Sequence, residues 1–342
     1  MKILITGGAG FIGSHLAERL LNDCHEVVAL DNLSTGRFDN IAHLTSNSNF
    51  EFVIGSVRDS ALVYELVDKC DVTIHLAAAV GVKRILEMPS HSIHTNVNGT
   101  ENVLHAASSR DKLVIIASTS EVYGKTTKTP FNENDDLVIG STSNLRWSYA
   151  VAKMLDECLA LAYSQEGKIR SIIVRLFNTT GPRQTGRYGM VLPNFVEQAL
   201  ANEPITVYGT GDQSRCFGHV SDAVESIVRL MNTPKAVGQV FNVGNDREIS
   251  IRGLAEMVKA MTKSKSEIQT FPYDQVYAYG FEDMARRVPD VQKIEKFTGY
   301  RPRTPLEQII QDVIDEKKAA LASPVVEKDE MAQMAKALAE AE

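Results

Sequence analysis

Two short stretches hold residues of types that could do chemistry together. SYAVAK (148–153) sets Tyr149 and Lys153 four residues apart, and STSEVYG (118–124) closes an apolar run with Thr119, Ser120 and Glu121. On a helix, a separation of four places a phenol and an ammonium on one face. A phenol ordinarily titrates near ~10, and a neighbouring ammonium and an oxidised nicotinamide would both favour the phenolate. Tyr149 therefore reads as a base that takes a proton from an alcohol, with the Thr119 or Ser120 hydroxyl orienting that alcohol. Glu121 is either an acid–base group or a solvated acid in a loop. A Tyr–Lys pair at this spacing is common on helices, and what precedes it decides its weight.

What precedes it is TGGAGFIG (6–13), with Gly7, Gly10 and Gly13 directly after the apolar run KILIT (2–6) and at the start of a helical pattern. Glycines there allow a tight turn, let backbone approach a pyrophosphate and let the helix pack closely on the sheet. The helix N-terminus then faces the anion. A Gly-rich pattern means little alone; here it has the strand–turn–helix context it needs. The next apolar run, EVVAL (26–30), leads into Asp31, 18 residues past Gly13. An acid at that place accepts hydrogen bonds from ribose hydroxyls and repels a 2′-phosphate, which predicts NAD rather than NADP.

Elements able to position these residues follow from the hydrophobic periodicity. Strands are predicted at 2–6, 26–30, 50–55, 72–77, 113–118 and 171–177, with helices at 11–22, 60–69 and 98–109 between them. Continuous apolar strands alternating with amphipathic helices predict an α/β, Rossmann-like, doubly wound parallel sheet. Past about residue 180 the pattern changes, and a smaller mixed C-terminal substrate subdomain is expected. Beyond that point helices are predicted at 192–201, 250–263 and 304–321, together with a helix from about Ser221 capped by Ser221 or Asp222 and a strand at 240–244. Residues 1–180, joined again by 214–247, form the predicted dinucleotide domain; 181–213 and 248–321 form the second; 322–342 read as a peripheral helix or tail.

The bulk composition narrows the function classes. A net charge of −7 argues against non-specific nucleic-acid binding, so any phosphate site must be local. The four cysteines (24, 70, 158 and 216) have no C-x-x-C spacing and read as reduced core thiols of a cytoplasmic protein. His and acidic residues do not cluster at metal-ligand spacing, and no apolar run reaches membrane-spanning length. The strand at residues 2–6 runs straight into the Gly-rich turn, and no leader peptide is expected.

Taken together, TGGAGFIG, Asp31, HLAA (75–78), STSEVYG, Tyr149-x-x-x-Lys153 and RLFNTTGPR (175–183) resemble the extended short-chain dehydrogenase/reductases that modify nucleotide sugars, over roughly residues 1–320. The resemblance implies bound NAD, a catalytic Tyr149–Lys153 pair, a UDP-sugar substrate and a homodimer formed through a helix bundle. It implies NAD contacts from Gly7, Gly10, Phe11, Ile12, Gly13, Asp31, Asn32, Ser34 and Gly36, and from Ser56, Val57, Leu76, Ala77, Ala78, Tyr149 and Lys153. Ser56 stands where the family commonly has an Asp touching adenine.

For the sugar nucleotide the resemblance implies Asn178, Arg215 and Arg287 on diphosphate or sugar, Arg187 and Lys83 beside them, and the Val207–Tyr208 backbone at uracil. His219 reads as a packed or capping residue rather than a ligand. Tyr149 would take the C4 hydroxyl proton as hydride leaves C4. The resulting 4-keto sugar can then be epimerised, dehydrated or decarboxylated. Dehydration in this family uses an Asp–Glu pair, whereas this chain has Ser120 before Glu121. Thr119-Ser120-Glu121, Arg287 and LRWSYAVAK (145–153) look like UDP-glucuronate decarboxylases, while GPRQTGRYGMVLPNF (181–195) and FGHVSDAV (217–224) read equally well as a 4-epimerase. Decarboxylation of UDP-glucuronate to UDP-xylose is the favoured expectation, 4-epimerisation the alternative, and a non-catalytic NAD-binding sensor the remote one.

Overall fold

The apolar runs of the first half become the strands of a wholly parallel sheet. In chain order they are β1 (Lys2–Thr6), β2 (Glu26–Asp31), β3 (Phe50–Ile54), β4 (Val72–His75), β5 (Leu113–Thr119) and β6 (Arg170–Leu176). Beyond β6 come the short β7 (Thr179–Thr180), β8 (Ile205–Tyr208), β9 (Ser214–Cys216) and β10 (Gly218–His219), before β11 (Gln239–Val243) rejoins the sheet. The strand order is β11-β6-β5-β4-β1-β2-β3. This computed structural model describes residues 1–187, 189–276, 282 and 284–322, without the side chains of 82–84, 274 and 276.

The period-2 alternation of the strands explains the layering. Ile3, Ile5, Ile74, Ile115 and Val174 face one way, onto α1 (Phe11–Asn22) and a later helix, α7 (Val220–Met231). Leu4, Val28, Val114, Ile116 and Ile173 face the other way, onto α2 (Ser60–Lys69), α4 (Pro89–Ser108) and α5 (Ser148–Gln165). The short α3 (Val82–Glu87) leads into α4. A sheet covered on both faces has apolar residues at successive positions, as the sequence reads.

The second lobe packs α6 (Val191–Ala201), α8 (Ile251–Thr262) and α11 (Leu306–Ala322) around Phe195, Val196, Leu254, Val258, Ile310 and Val313. Between the first two of these lies α7 (Val220–Met231). In this lobe β9 pairs antiparallel with β12 (Glu248–Ser250) and parallel with β14 (Arg286–Arg287), while β8 pairs parallel with β13 (Ile268–Phe271), so its strands are mixed. The remaining helices are α9 (Tyr273–Val276) and α10 (Gln292–Thr298).

Four details depart from expectation. Helix α4 starts at Pro89, well before the predicted 98, because polar residues occupy its buried face: Asn96 accepts from the Ala79 N–H at 2.7 Å, and Ser92 and Thr100 are buried too. That hides the apolar period. Helix α7 is capped not by Ser221 or Asp222 but by His219, whose Nδ1 accepts from the Ser221 N–H at 3.2 Å. Asp222 is instead buried, accepting from Tyr300 and from the Thr304 N–H. Of the cysteines, Cys70 and Cys216 are buried but Cys24 and Cys158 are exposed. Residues 214–216, expected with the large domain, pair with the second lobe as β9; α7 and β11 make the return. Residues 323–342 of the predicted tail lie outside the described residues.

Candidate active site

A continuous cleft of about 510 Å³ opens where β1, β2, β4, β5 and β6 end, and the second lobe forms its far wall. Its near end is made largely of backbone. Gly7 has φ +74°, and a Cβ there would stand 2.9 Å from the Ala77 nitrogen. A Cβ on Gly13 would stand 2.1 Å from the Gly7 carbonyl oxygen, so only glycine lets the turn close on the start of α1. No side chain caps that helix start and its first turn holds no acid, which leaves its N–H groups for an anion. Phe11, Ile12, Asn32, Ser34, Ser56, Val57, Leu76, Ala77 and Ala78 line the same end. Gly36 does not; it packs on Asp31, where a Cβ would meet the carboxylate at 2.7 Å. Asp31 accepts from the Leu33 N–H at 2.8 Å and the Ala9 N–H at 3.0 Å, and burial pushes its carboxyl up to about 6. An uncapped helix start, a glycine cradle and a strand-end acid fit NAD.

At the centre, Tyr149 and Lys153 rise from α5, one turn apart. Tyr149 lines the cleft and hydrogen-bonds the Thr119 hydroxyl. Burial, then the Glu121 and Asp156 carboxylates, push its phenol above the usual range, against Arg146 and Thr119. The ammonium expected to lower that phenol is otherwise engaged: Lys153 is buried outside the lining and donates to Asp156 Oδ2 at 2.8 Å. The physical reason is local, since Asp156 lies one helical turn on and is itself buried.

Glu121 sits on the 3-10 turn Ser120–Tyr123 that follows β5, with its N–H on Thr119 Oγ1 at 3.3 Å. Arg146 Nη1 donates to its Oε2 at 2.5 Å and Arg287 Nη1 to its Oε1 at 3.4 Å. Burial alone would raise this carboxyl; Arg146, then Arg287 and Arg215, pull it down to about 2. Glu121 is thus a largely enclosed, ion-paired carboxylate rather than a solvated loop acid. Arg215 and Arg287 lie side by side in register on β9 and β14, and both line the cleft. Three guanidinium groups around one carboxylate leave the pocket cationic and suited to an acidic ligand.

The other expected substrate residues divide. Asn178 lines the cleft and donates to the Cys216 carbonyl at 3.1 Å, and Tyr208 lines it with its carbonyl accepting from Gln213 at 2.7 Å. Val207 points into the second core, 0% exposed, because alternate residues of β8 face opposite ways. Arg187 is exposed on a turn outside the lining. The Lys83 side chain lies outside the described residues. Arg146, which the sequence reading passed over, had a signal: three residues before Tyr149, it enters α5 on the same side. Gln213 and Tyr273, hydrogen-bonded at 3.1 Å, also line the cleft and lacked any motif.

The sequence matches the profile described as GDP-mannose 4,6 dehydratase over residues 4–313. The chain belongs to this family. Within it, the chain is 44% identical over 314 residues to a UDP-N-acetyl-alpha-D-glucosaminuronate decarboxylase of Bacillus cytotoxicus, covering 92% of this chain and 96% of the relative. It is 37% identical to UDP-glucuronic acid decarboxylase 1 of Danio rerio, covering 92% and 72%. A solved UDP-glucuronic acid 4-epimerase of Bacillus cereus, in complex with UDP-glucuronic acid and NAD, superposes with a TM-score of 0.84 at 28% identity, covering 94% of this chain and all of that one. Family membership thus agrees with the fold, with its NAD end and with a nucleotide-sugar end, while the relatives differ in the reaction they are named for.

Proposed function

We propose that this protein is an NAD-dependent decarboxylase of a UDP-hexuronate, converting UDP-glucuronate to UDP-xylose. The observation that carries this reading is Glu121, partly buried and ionised between Arg146 and Arg287 beside Tyr149. A dehydratase of this family would need an acid at position 120, where this chain has Ser120. The relatives named as decarboxylases, at 37% and 44% identity, support the same choice over 4-epimerisation.

Bound NAD supplies a hydride acceptor for C4 and later returns that hydride. Tyr149 takes the C4 hydroxyl proton, with Thr119 fixing the phenol. Once C4 is a ketone, the C5 carboxylate is β to it. Its C–C bond can break, releasing CO2 and leaving the electron pair in the enolate. Arg287, with Arg215 beside it, holds the carboxylate or the diphosphate in place. C5 then takes a proton. Glu121, ionised, cannot donate that proton itself but can accept a hydrogen bond from the solvent donor and orient it. This narrows the acid–base role expected of Glu121 to that of an acceptor.

A second reading concerns the sugar's C2 group alone. The Bacillus cytotoxicus relative is named for an N-acetylated uronate, and its identity to this chain is the higher of the two. The deciding experiment incubates the protein and NAD with each UDP-uronate and examines the product by mass spectrometry and proton NMR. A product lighter by CO2 with pentose signals is expected; an unchanged mass with an inverted C4 proton would make the protein a 4-epimerase. The relative turnover of the two substrates assigns the C2 group.

The assembly we propose is a homodimer through α4 and α5, where Ile93, Val151 and Leu155 are 38–44% exposed on neighbouring helices. Light scattering of Leu155→Glu should report monomer where the parent protein reports dimer. The cytoplasm is the proposed compartment, consistent with four free cysteines.

A further inference from the structure

A line of buried hydrogen bonds runs under the cleft, from the dinucleotide turn to the catalytic helix. The Ala77 N–H donates to Thr6 Oγ1 at 3.2 Å, and Thr6 Oγ1 lies 2.8 Å from His75 Nδ1. His75 Nε2 lies 3.2 Å from Thr100 Oγ1, Thr100 hydrogen-bonds Asp156, and Asp156 Oδ2 accepts from Lys153 Nζ at 2.8 Å. Thr6, Thr100 and Asp156 are 0% exposed, His75 1% and Lys153 2%.

The proton positions follow from the chemistry. Asp156 as a carboxylate only accepts, so the single Thr100 hydroxyl proton points to it and Thr100 Oγ1 accepts from His75 Nε2–H. His75 Nδ1 then accepts from the Thr6 hydroxyl, whose oxygen takes the Ala77 N–H. His75 is neutral in this arrangement, and burial, with Lys153 acting in the same direction, takes it down to about 3. The line runs in one direction and ends on the carboxylate whose Oδ2 grips Lys153, while its Oδ1 has no hydrogen-bond partner.

We propose that Asp156 is a positioning residue for the Tyr149–Lys153 pair, anchoring the Lys153 ammonium through this line to the backbone that forms the cofactor end of the cleft. The proposal rests on the reading of Tyr149 and Lys153 as the catalytic pair. Its electrostatic consequence is definite. A carboxylate 2.8 Å from the ammonium offsets the charge that would otherwise favour the Tyr149 phenolate, so Asp156 holds the phenol in its protonated form to higher pH. The other charged groups packed around this part of α5 are already matched. Glu157 is bound by Arg175 of β6 at 2.7 and 2.9 Å and by Ser118 of β5, and Glu121 by Arg146 and Arg287. On α4, His94, Glu101 and His105 are exposed. His75 of β4 is neutral.

The test follows the ¹³Cζ resonance of Tyr149 with pH in the NAD-loaded protein, assigned by its loss in Tyr149→Phe. In Asp156→Asn the phenolate should appear at lower pH than in the parent, by about one pH unit or more. The acidic limb of NADH formation on a UDP-uronate should move the same way. Asp156→Ala, which also removes the charge, should shift the titration in the same direction and keeps the test alive if Asp156→Asn fails to fold. An unchanged or higher titration in the variants overturns the proposal. A shifted resonance in a protein that releases no CO2 would sink the decarboxylase reading and leave Asp156 its role.

Discussion

The cofactor end of the cleft is built from backbone, and the sugar end from side chains. At the first, three glycines, one helix start and the lone Asp31 shape the wall, all within residues 7–31. At the second, Glu121, Arg146, Arg215 and Arg287 converge from a turn, a helix entry and two short strands spread over more than 160 residues. A backbone-built wall tolerates almost no added atom. A charge-built pocket tolerates changes of shape but not of charge.

Substitutions can break that contrast. The largest effect is expected from Tyr149→Phe, which should lower turnover on any sugar nucleotide by at least ~1,000-fold while NAD still binds, as followed by cofactor fluorescence. Retained turnover would remove the phenol from the chemistry. Next comes Gly13→Ala, whose Cβ would lie 2.1 Å from a carbonyl that no flexible side chain can move. NAD affinity by calorimetry should fall by ~100-fold or more; near-normal affinity would mean the wall is softer than its geometry implies.

At the sugar end, Glu121→Gln should still reduce NAD in the first half-reaction yet release CO2 about 10- to 100-fold more slowly, as read by product mass over time. Normal CO2 release would take Glu121 out of the mechanism. The smallest effect concerns stability. Glu121 titrates near 4.5 when unperturbed and near about 2 here, so its ion pairs stabilise the fold above the higher value and lose that contribution as pH falls toward the lower. The melting-temperature difference between parent and Glu121→Gln should therefore shrink between pH 5 and pH 2. A constant difference would show that the pair is not ionised as the geometry requires.

The same contrast explains what the sequence could say. The large sheet, α1 and the glycine turn were legible because their signals are local: apolar runs, a helical period, three glycines at fixed offsets. Tyr149 and Glu121 were legible by their neighbours. The start of α4 was not, since Ser92, Asn96 and Thr100 fill buried places with polar atoms matched by distant partners. Nor was the Lys153–Asp156 contact, because an acid three residues beyond a lysine is unremarkable until both are known to be buried. The grouping of Arg146, Arg215 and Arg287 depends on long-range folding, with Arg215 and Arg287 brought side by side only by the pairing of β9 with β14.

The two-residue strand β14 has a further consequence. It hangs from β9 of the second lobe, yet the residues just after it are tied to the first: the Phe131 N–H donates to the Val288 carbonyl at 2.7 Å, and the Asp290 N–H to the Phe131 carbonyl at 2.8 Å. Arg287 therefore sits on a crossbar between the lobes, 3.4 Å from a carboxylate carried by the first. A sugar's own carboxylate arriving there would compete with Glu121 for a guanidinium that both lobes hold in place.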